Sequence, residues 1–130
     1  MSTGDKAEFE GLLERFGKAW ESGDAAEMAA VFAETGVFVP DLHGSPVVGR
    51  DAVAEYWKDI PHEQSEVSFR SGEIHVAGPW FAAEFKCTFR RRRTGDPMDV
   101  RGALFCETEG GEITEMRMYW QRRAAESERS

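Results

Sequence analysis

The chain predicts an α+β domain in which helices at the start cover one face of an antiparallel sheet. Two observations carry this. Apolar residues recur at helical spacing in three stretches up to Pro61, interrupted by one small hairpin, and at every second position beyond it. Helices followed by a run of strands place the helices over one sheet face, leaving the other wet.

Phe9, Leu12, Leu13, Phe16 and Trp20 form one helical stripe, with Asp5 and Glu8 spaced as a capping pair, so a first helix is expected over 5–22. "SGD" stops it, and Asp24 with Glu27 repeats the cap signal ahead of Met28, Val31 and Phe32. That predicts a second helix over 24–34, ended by Gly36. Val37 to Val39 is a short β-favouring run, "DLHGSP" is turn chemistry, and "VVG" returns as a hairpin partner. Val53, Tyr56, Trp57 and Ile60 mark one face of a third helix, which Pro61 closes.

Four β-type segments follow: "SEVSFRSGEIHVAG", "WFAAEFKCTFRRRR", "MDVRGALFCETE" and "GEITEMRMYWQRR", separated by "GP", "TGDP" and "GG". In the second, Phe81, Ala83, Phe85, Cys87 and Phe89 alternate with Glu84, Lys86, Thr88 and Arg90, the pattern of a strand with one buried face. Arg90 to Arg93 end that strand, and alternation splits them into two pairs, which favours a solvated hairpin end over a phosphate clamp. As the cationic spot of an acidic chain, they are also a surface on which an acidic carrier protein could dock.

At 130 residues and 41% apolar content, the chain fits one domain with one core over 1–130, its ends at 1–5 and 124–130 frayed. A formal net charge of −8 argues against nucleic acid and anionic membranes as partners. No apolar run approaches the roughly 18 residues of a spanning helix, and "MSTGDKAEFEG" has no signal-peptide core, so a cytoplasmic protein is expected. Cys87 and Cys106 show no ligand spacing. They read as buried free thiols, with neither a metal nor an organic cofactor called for.

The segment "AWESGDAAEMAAVFAETGVFVPDLHGSPVVGRDAVAEYW", followed much later by "GEITEMRMYW", resembles the nuclear transport factor 2-like superfamily. The nearest branches are the ketosteroid isomerases and SnoaL-like polyketide cyclases. The resemblance implies a cone-shaped, curled antiparallel sheet wrapped by three N-terminal helices, enclosing a hydrophobic cavity. It places Phe16, Tyr56, Trp57, Met116 and Trp120 along that cavity, where aromatic walls with few polar groups suit a flat apolar ligand. It further implies a homodimer through the outer sheet face, where Phe105 and Tyr119 fall by alternation.

In the isomerases an Asp at the end of the first hairpin strand moves the proton, while a helix-one Tyr and a protonated late-strand Asp stabilise the enolate oxygen. The Tyr position corresponds to Phe16 and the late acid to Gly102, so both oxyanion donors are missing. An ungapped reading puts Pro40 at the base position, whereas a one-residue slip in the hairpin puts Asp41 there. With the slip, His43 shares its face and the two could act as an acid/base pair. As turn residues, Asp41 and His43 need no function at all. Two readings follow: a cofactor-independent enzyme moving a proton on a polyketide-, terpenoid- or steroid-like molecule with Asp41 as base, or a non-catalytic hydrophobic-ligand binder or accessory protein. His62 and His75 carry no supporting spacing, and His75 reads as solvated.

Overall fold

The computed structural model describes residues 6–124. Its elements run α1 (Lys6–Ser22), α2 (Ala25–Ala30), β1 (Phe32–Val39), β2 (Val47–Val48), α3 (Arg50–Lys58), α4 (Ile60–Glu63), β3 (Gln64–Ser71), β4 (His75–Ala77), β5 (Trp80–Arg91), β6 (Pro97–Glu109) and β7 (Glu112–Ala124). The strands form one sheet in the order β2-β1-β7-β6-β5-β3, with β4 paired to β5. The helices α1–α3, extended by the one-turn α4, and a curled seven-stranded sheet match the expected α+β cone.

The sheet is mixed rather than purely antiparallel, because β1 runs parallel to β7. That pairing also corrects the second helix. Val31 and Phe32 stop contributing to a helix because their backbone joins the sheet: the Ile113 N–H donates to the Val31 carbonyl at 2.9 Å, and Phe32 pairs with Ile113. Gly36 is no helix stop either. It lies inside β1 where a Cβ would come within 2.8 Å of the Ile113 carbonyl oxygen, so its signal was close backbone approach. Pro61 does not close α3 but opens the one-turn α4, at a position whose N–H has no helical partner to lose. The Asp5 cap and the fraying of 1–5 and 125–130 lie outside the described residues, whereas Ala124 is paired with Met98.

The β5 alternation holds as read: Phe81, Ala83, Phe85, Cys87 and Phe89 are buried while Glu84, Lys86 and Arg90 are exposed. The inner face meets Phe9, Leu12, Leu13 and Phe16 of α1, all buried in one core with Val53 and Trp57 of α3. Cys87 and Cys106 are buried free thiols in that core. Among the described residues no helix is long and apolar enough to cross a membrane.

Candidate functional site

The site is set by how the chain leaves β1 and enters α3. β1 and β2 pair through Val37–Val48 and Phe38–Val47, and the connecting loop begins at Pro40, which has no N–H to continue a ladder. Asp41 then caps its own turn. Its Oδ1 accepts from the His43 N–H at 3.0 Å, and its carbonyl accepts from Gly44 N–H at 3.1 Å, the pattern of an Asx-turn. α3 starts at Arg50, whose Nε and Nη2 donate to the Phe32 carbonyl at 3.0 and 2.8 Å while Nη2 also meets Glu112 Oε2 at 3.1 Å. That fork ties the helix start to β1 and β7, and so aims Tyr56 and Trp57 at the inner sheet face.

Between α1, α3, α4 and that face lies a cavity of about 200 Å3 with walls of Trp20, Phe38, Tyr56, Trp57, Phe89 and Trp120. Met118 and Val100 floor it, Pro40 sits at its edge, and Glu63, Gln64 and Arg122 supply its polar side. The Trp57 ring lies edge-on to Trp20 at 5.2 Å and tilted against Phe38 at 5.7 Å between centroids. The tryptophans differ in how their N–H groups are spent. Trp20 donates to Gln64 Oε1 at 3.0 Å, and Trp120 donates to the Pro40 carbonyl. Trp57 Nε1 is buried without a partner among the described residues. An unmet buried donor costs about 1–3 kcal/mol, so a ligand acceptor reaching it would relieve a standing penalty.

Tyr56, half-buried at the cavity wall, adds a hydroxyl donor. Burial holds its pKa above 10.0, and the nearby Asp41 and Glu63 carboxylates push it further, so it stays protonated at neutral pH. Among the described residues no three His, Cys, Asp or Glu side chains gather as metal ligands would.

Tyr56, Trp57 and Trp120 line this cavity. Phe16 and Met116 do not: both are fully buried in the core, Phe16 boxed by Trp20, Trp57 and Phe69. Met116 shares a strand face with Met118 and Trp120 but lies too deep. Asp41 and His43 are exposed in the turn and do not line the cavity, whereas Pro40 is buried and does. Pro40, the residue of the ungapped reading, thus sits at the cavity, and the Asp41 carboxylate of the slipped reading is in water. At Gly102 a Cβ would lie 2.0 Å from the Tyr119 carbonyl oxygen, so no late-strand acid fits there.

Sequence reading missed Glu63, Gln64 and Arg122. Arg122 was reachable, because it continues the inward alternation of Met118 and Trp120 along β7. Glu63 and Gln64, where α4 meets β3, were not, since the one-turn α4 carries no periodic signal to place that junction.

The SnoaL-like domain profile matches residues 13–116. The chain belongs to the SnoaL-like domain family. This domain resembles many solved structures. A provisionally assigned isomerase from Bacillus subtilis shares 25% identity over 88% of both chains with a TM-score of 0.78. A Catenulispora acidiphila protein of ketosteroid isomerase-like fold, solved with trimethylamine, shares 21% over 83% of both chains with a TM-score of 0.75. SalBIII, an epoxide hydrolase/cyclase-like enzyme of pyran ring formation in salinomycin, shares 17%, covering 93% of this chain and 98% of its own, with a TM-score of 0.79. No curated protein matches. The fold of the nuclear transport factor 2-like superfamily, with its isomerase-like and cyclase-like members, is thereby established for this SnoaL-like domain.

Proposed function

We propose that this SnoaL-like protein binds a small, flat, largely apolar molecule in the aromatic cavity and orients it by donating hydrogen bonds to an acceptor atom, without the proton transfer of the isomerases. The observation that carries this is the cavity's polar inventory. Trp57 Nε1–H is a buried donor awaiting an acceptor and Tyr56 adds a protonated hydroxyl to the wall, while the isomerases' base and oxyanion positions hold Pro40, Phe16 and Gly102. A carbonyl or ether oxygen on a planar body meets that inventory; a polyketide-, terpenoid- or steroid-like fragment has both. The test is mass spectrometry of the solvent extract of purified protein. We expect one apolar compound enriched over a control protein and depleted in Trp57→Phe; an extract indistinguishable from the control refutes the reading.

A second reading, enzymatic proton transfer, is favoured by one observation: Glu63 is the carboxylate that lines the cavity, and it acts on Tyr56. In that reading Glu63 is the base and Tyr56 the donor, and Asp41 and His43 shape the mouth. Any turnover found on the extracted compound should then fall roughly 100-fold or more in Glu63→Gln and persist in Asp41→Asn.

The exposed faces of Phe105 and Tyr119 meet edge-on at 5.7 Å on the outer sheet, among charged neighbours. A second copy of the chain is the partner we assign to them. Sedimentation at micromolar concentration should give a dimer, and monomer alone would refute it.

A further inference from the structure

The arginine run at the end of β5 is divided between two kinds of work. Arg90 donates from Nη1 to the Gly95 carbonyl at 2.9 Å and pairs with Glu66 at 3.4 Å. Arg92 donates from Nε to the Pro61 carbonyl at 2.6 Å, and its backbone N–H to the Glu63 carbonyl at 2.9 Å. Arg90 thus ties the β5–β6 hairpin end to β3, and Arg92 braces it against α4. Arg91 and Arg93 take the other side, and among the described residues no carboxylate pairs with either guanidinium or with that of Arg122.

Those three unpaired guanidiniums line one cleft of about 320 Å3 between the hairpin end, α4 and β7. The cleft adjoins the aromatic cavity, since Glu63, Gln64, Phe89 and Arg122 belong to the walls of both. Three arginines face one carboxylate there, on a chain whose formal net charge is −8. Unpaired like charges held together repel one another, and the bracing by Arg92 keeps them together before any ligand arrives.

We propose that cavity and cleft form one site for an amphipathic molecule, its planar apolar body among Trp20, Trp57 and Trp120 and its terminal oxyanion, a carboxylate or a phosphate ester, on Arg91, Arg93 and Arg122. Guanidinium forks bind either oxyanion bidentately, and Arg122, in the wall of both compartments, sits where body and anion join. This rests on the reading that the cavity takes a small molecule, and it narrows the substrate class of that same site to anionic amphiphiles.

The test uses three probes sharing one aromatic body: uncharged naphthamide, naphthoate and naphthyl phosphate. Binding is read from the fluorescence of the cavity tryptophans at low salt. The better anion should bind about tenfold more tightly than naphthamide, the size of one charge-assisted contact. Which anion leads identifies the source of the oxyanion. The anion-to-amide affinity ratio should fall several-fold in Arg93→Ala and in Arg122→Ala and approach one in about 1 M salt, where screening reaches a few ångströms. Arg123→Ala, which removes the same charge from the other sheet face, should leave the ratio unchanged. Equal affinities for all three probes, or a ratio that survives the Arg93/Arg122 double replacement, overturn the anion site while bound naphthamide leaves the cavity reading standing. Failure of every probe to bind overturns both.

Discussion

Replacing Gly102 with alanine tests the claim that this fold has no room for the isomerases' late-strand acid. An ideal Cβ at Gly102 would lie 2.0 Å from the Tyr119 carbonyl oxygen and 2.7 Å from the Trp120 Cα, both backbone atoms of β7 that cannot swing aside. Ordinary carbon–oxygen contact begins near 3.3 Å, so β7 must retreat by about 1 Å. Overpacking of this kind costs about 1–3 kcal/mol, and loosening one or two ladder hydrogen bonds between β6 and β7 adds about 1 kcal/mol each. Opposing this, alanine narrows the unfolded chain and contributes about 0.4–1 kcal/mol. The clash wins, with a net loss of about 2 kcal/mol or more. In urea unfolding followed by tryptophan fluorescence, that moves the midpoint down by about 1 M for a slope of about 2 kcal/mol/M. Gly11→Ala is the internal control: within α1 its Cβ meets nothing inside 4 Å, so the same substitution should stabilise by about 0.5–1 kcal/mol. A Gly102→Ala midpoint equal to or above wild type would refute the steric argument and reopen the late-strand position to an acid.

Two further outcomes follow from titratable groups whose pKa values desolvation raises. In a Tyr119→Phe background the phenolate absorbance reports Tyr56 alone, and it should rise only above pH 10.0, with Asp41→Asn moving it back toward that value. Because the unfolded Tyr56 then loses its proton first, stability should decline as pH climbs past 10.0 toward the folded value; titration at or below 10.0 would refute the burial. Burial, and secondarily Glu21, pushes the Cys87 thiol up to about 12, and burial alone pushes Cys106 higher still. Neither should react with a thiol reagent at neutral pH until the protein unfolds, so native modification at the rate of a free thiol would count against the packing.

How much of this was legible depended on whether a residue's role is decided by its own strand or by something distant. The face of each β5 residue was readable because one alternating pattern decides it. The face of Met116, Met118, Trp120 and Arg122 was equally readable, yet depth along β7 was not: Met116 pairs with Phe38 of β1 and Cys106 of β6 in the core, while the residues beyond it reach the cavity. The split of Arg90–Arg93 into two pairs was visible from alternation, but which pair would be braced depended on α4, whose one turn around Pro61 reads as a helix stop. The Pro40–Asp41 ambiguity has the same origin. A strand that ends in a loop fixes no register by itself, and here a distant group does so: Trp120 holds the Pro40 carbonyl through its indole N–H, on a strand eighty residues away. That bond seats Pro40 at the cavity edge, and the Asx-turn then carries Asp41 into water. Releasing it should therefore loosen the mouth rather than the core. Trp120→Phe keeps the aromatic wall and removes the donor, so its expected cost is about 1 kcal/mol, together with faster amide exchange confined to Asp41–Gly44. Exchange unchanged in that turn would mean that the hairpin holds Pro40 without help, and that register at the site is local after all.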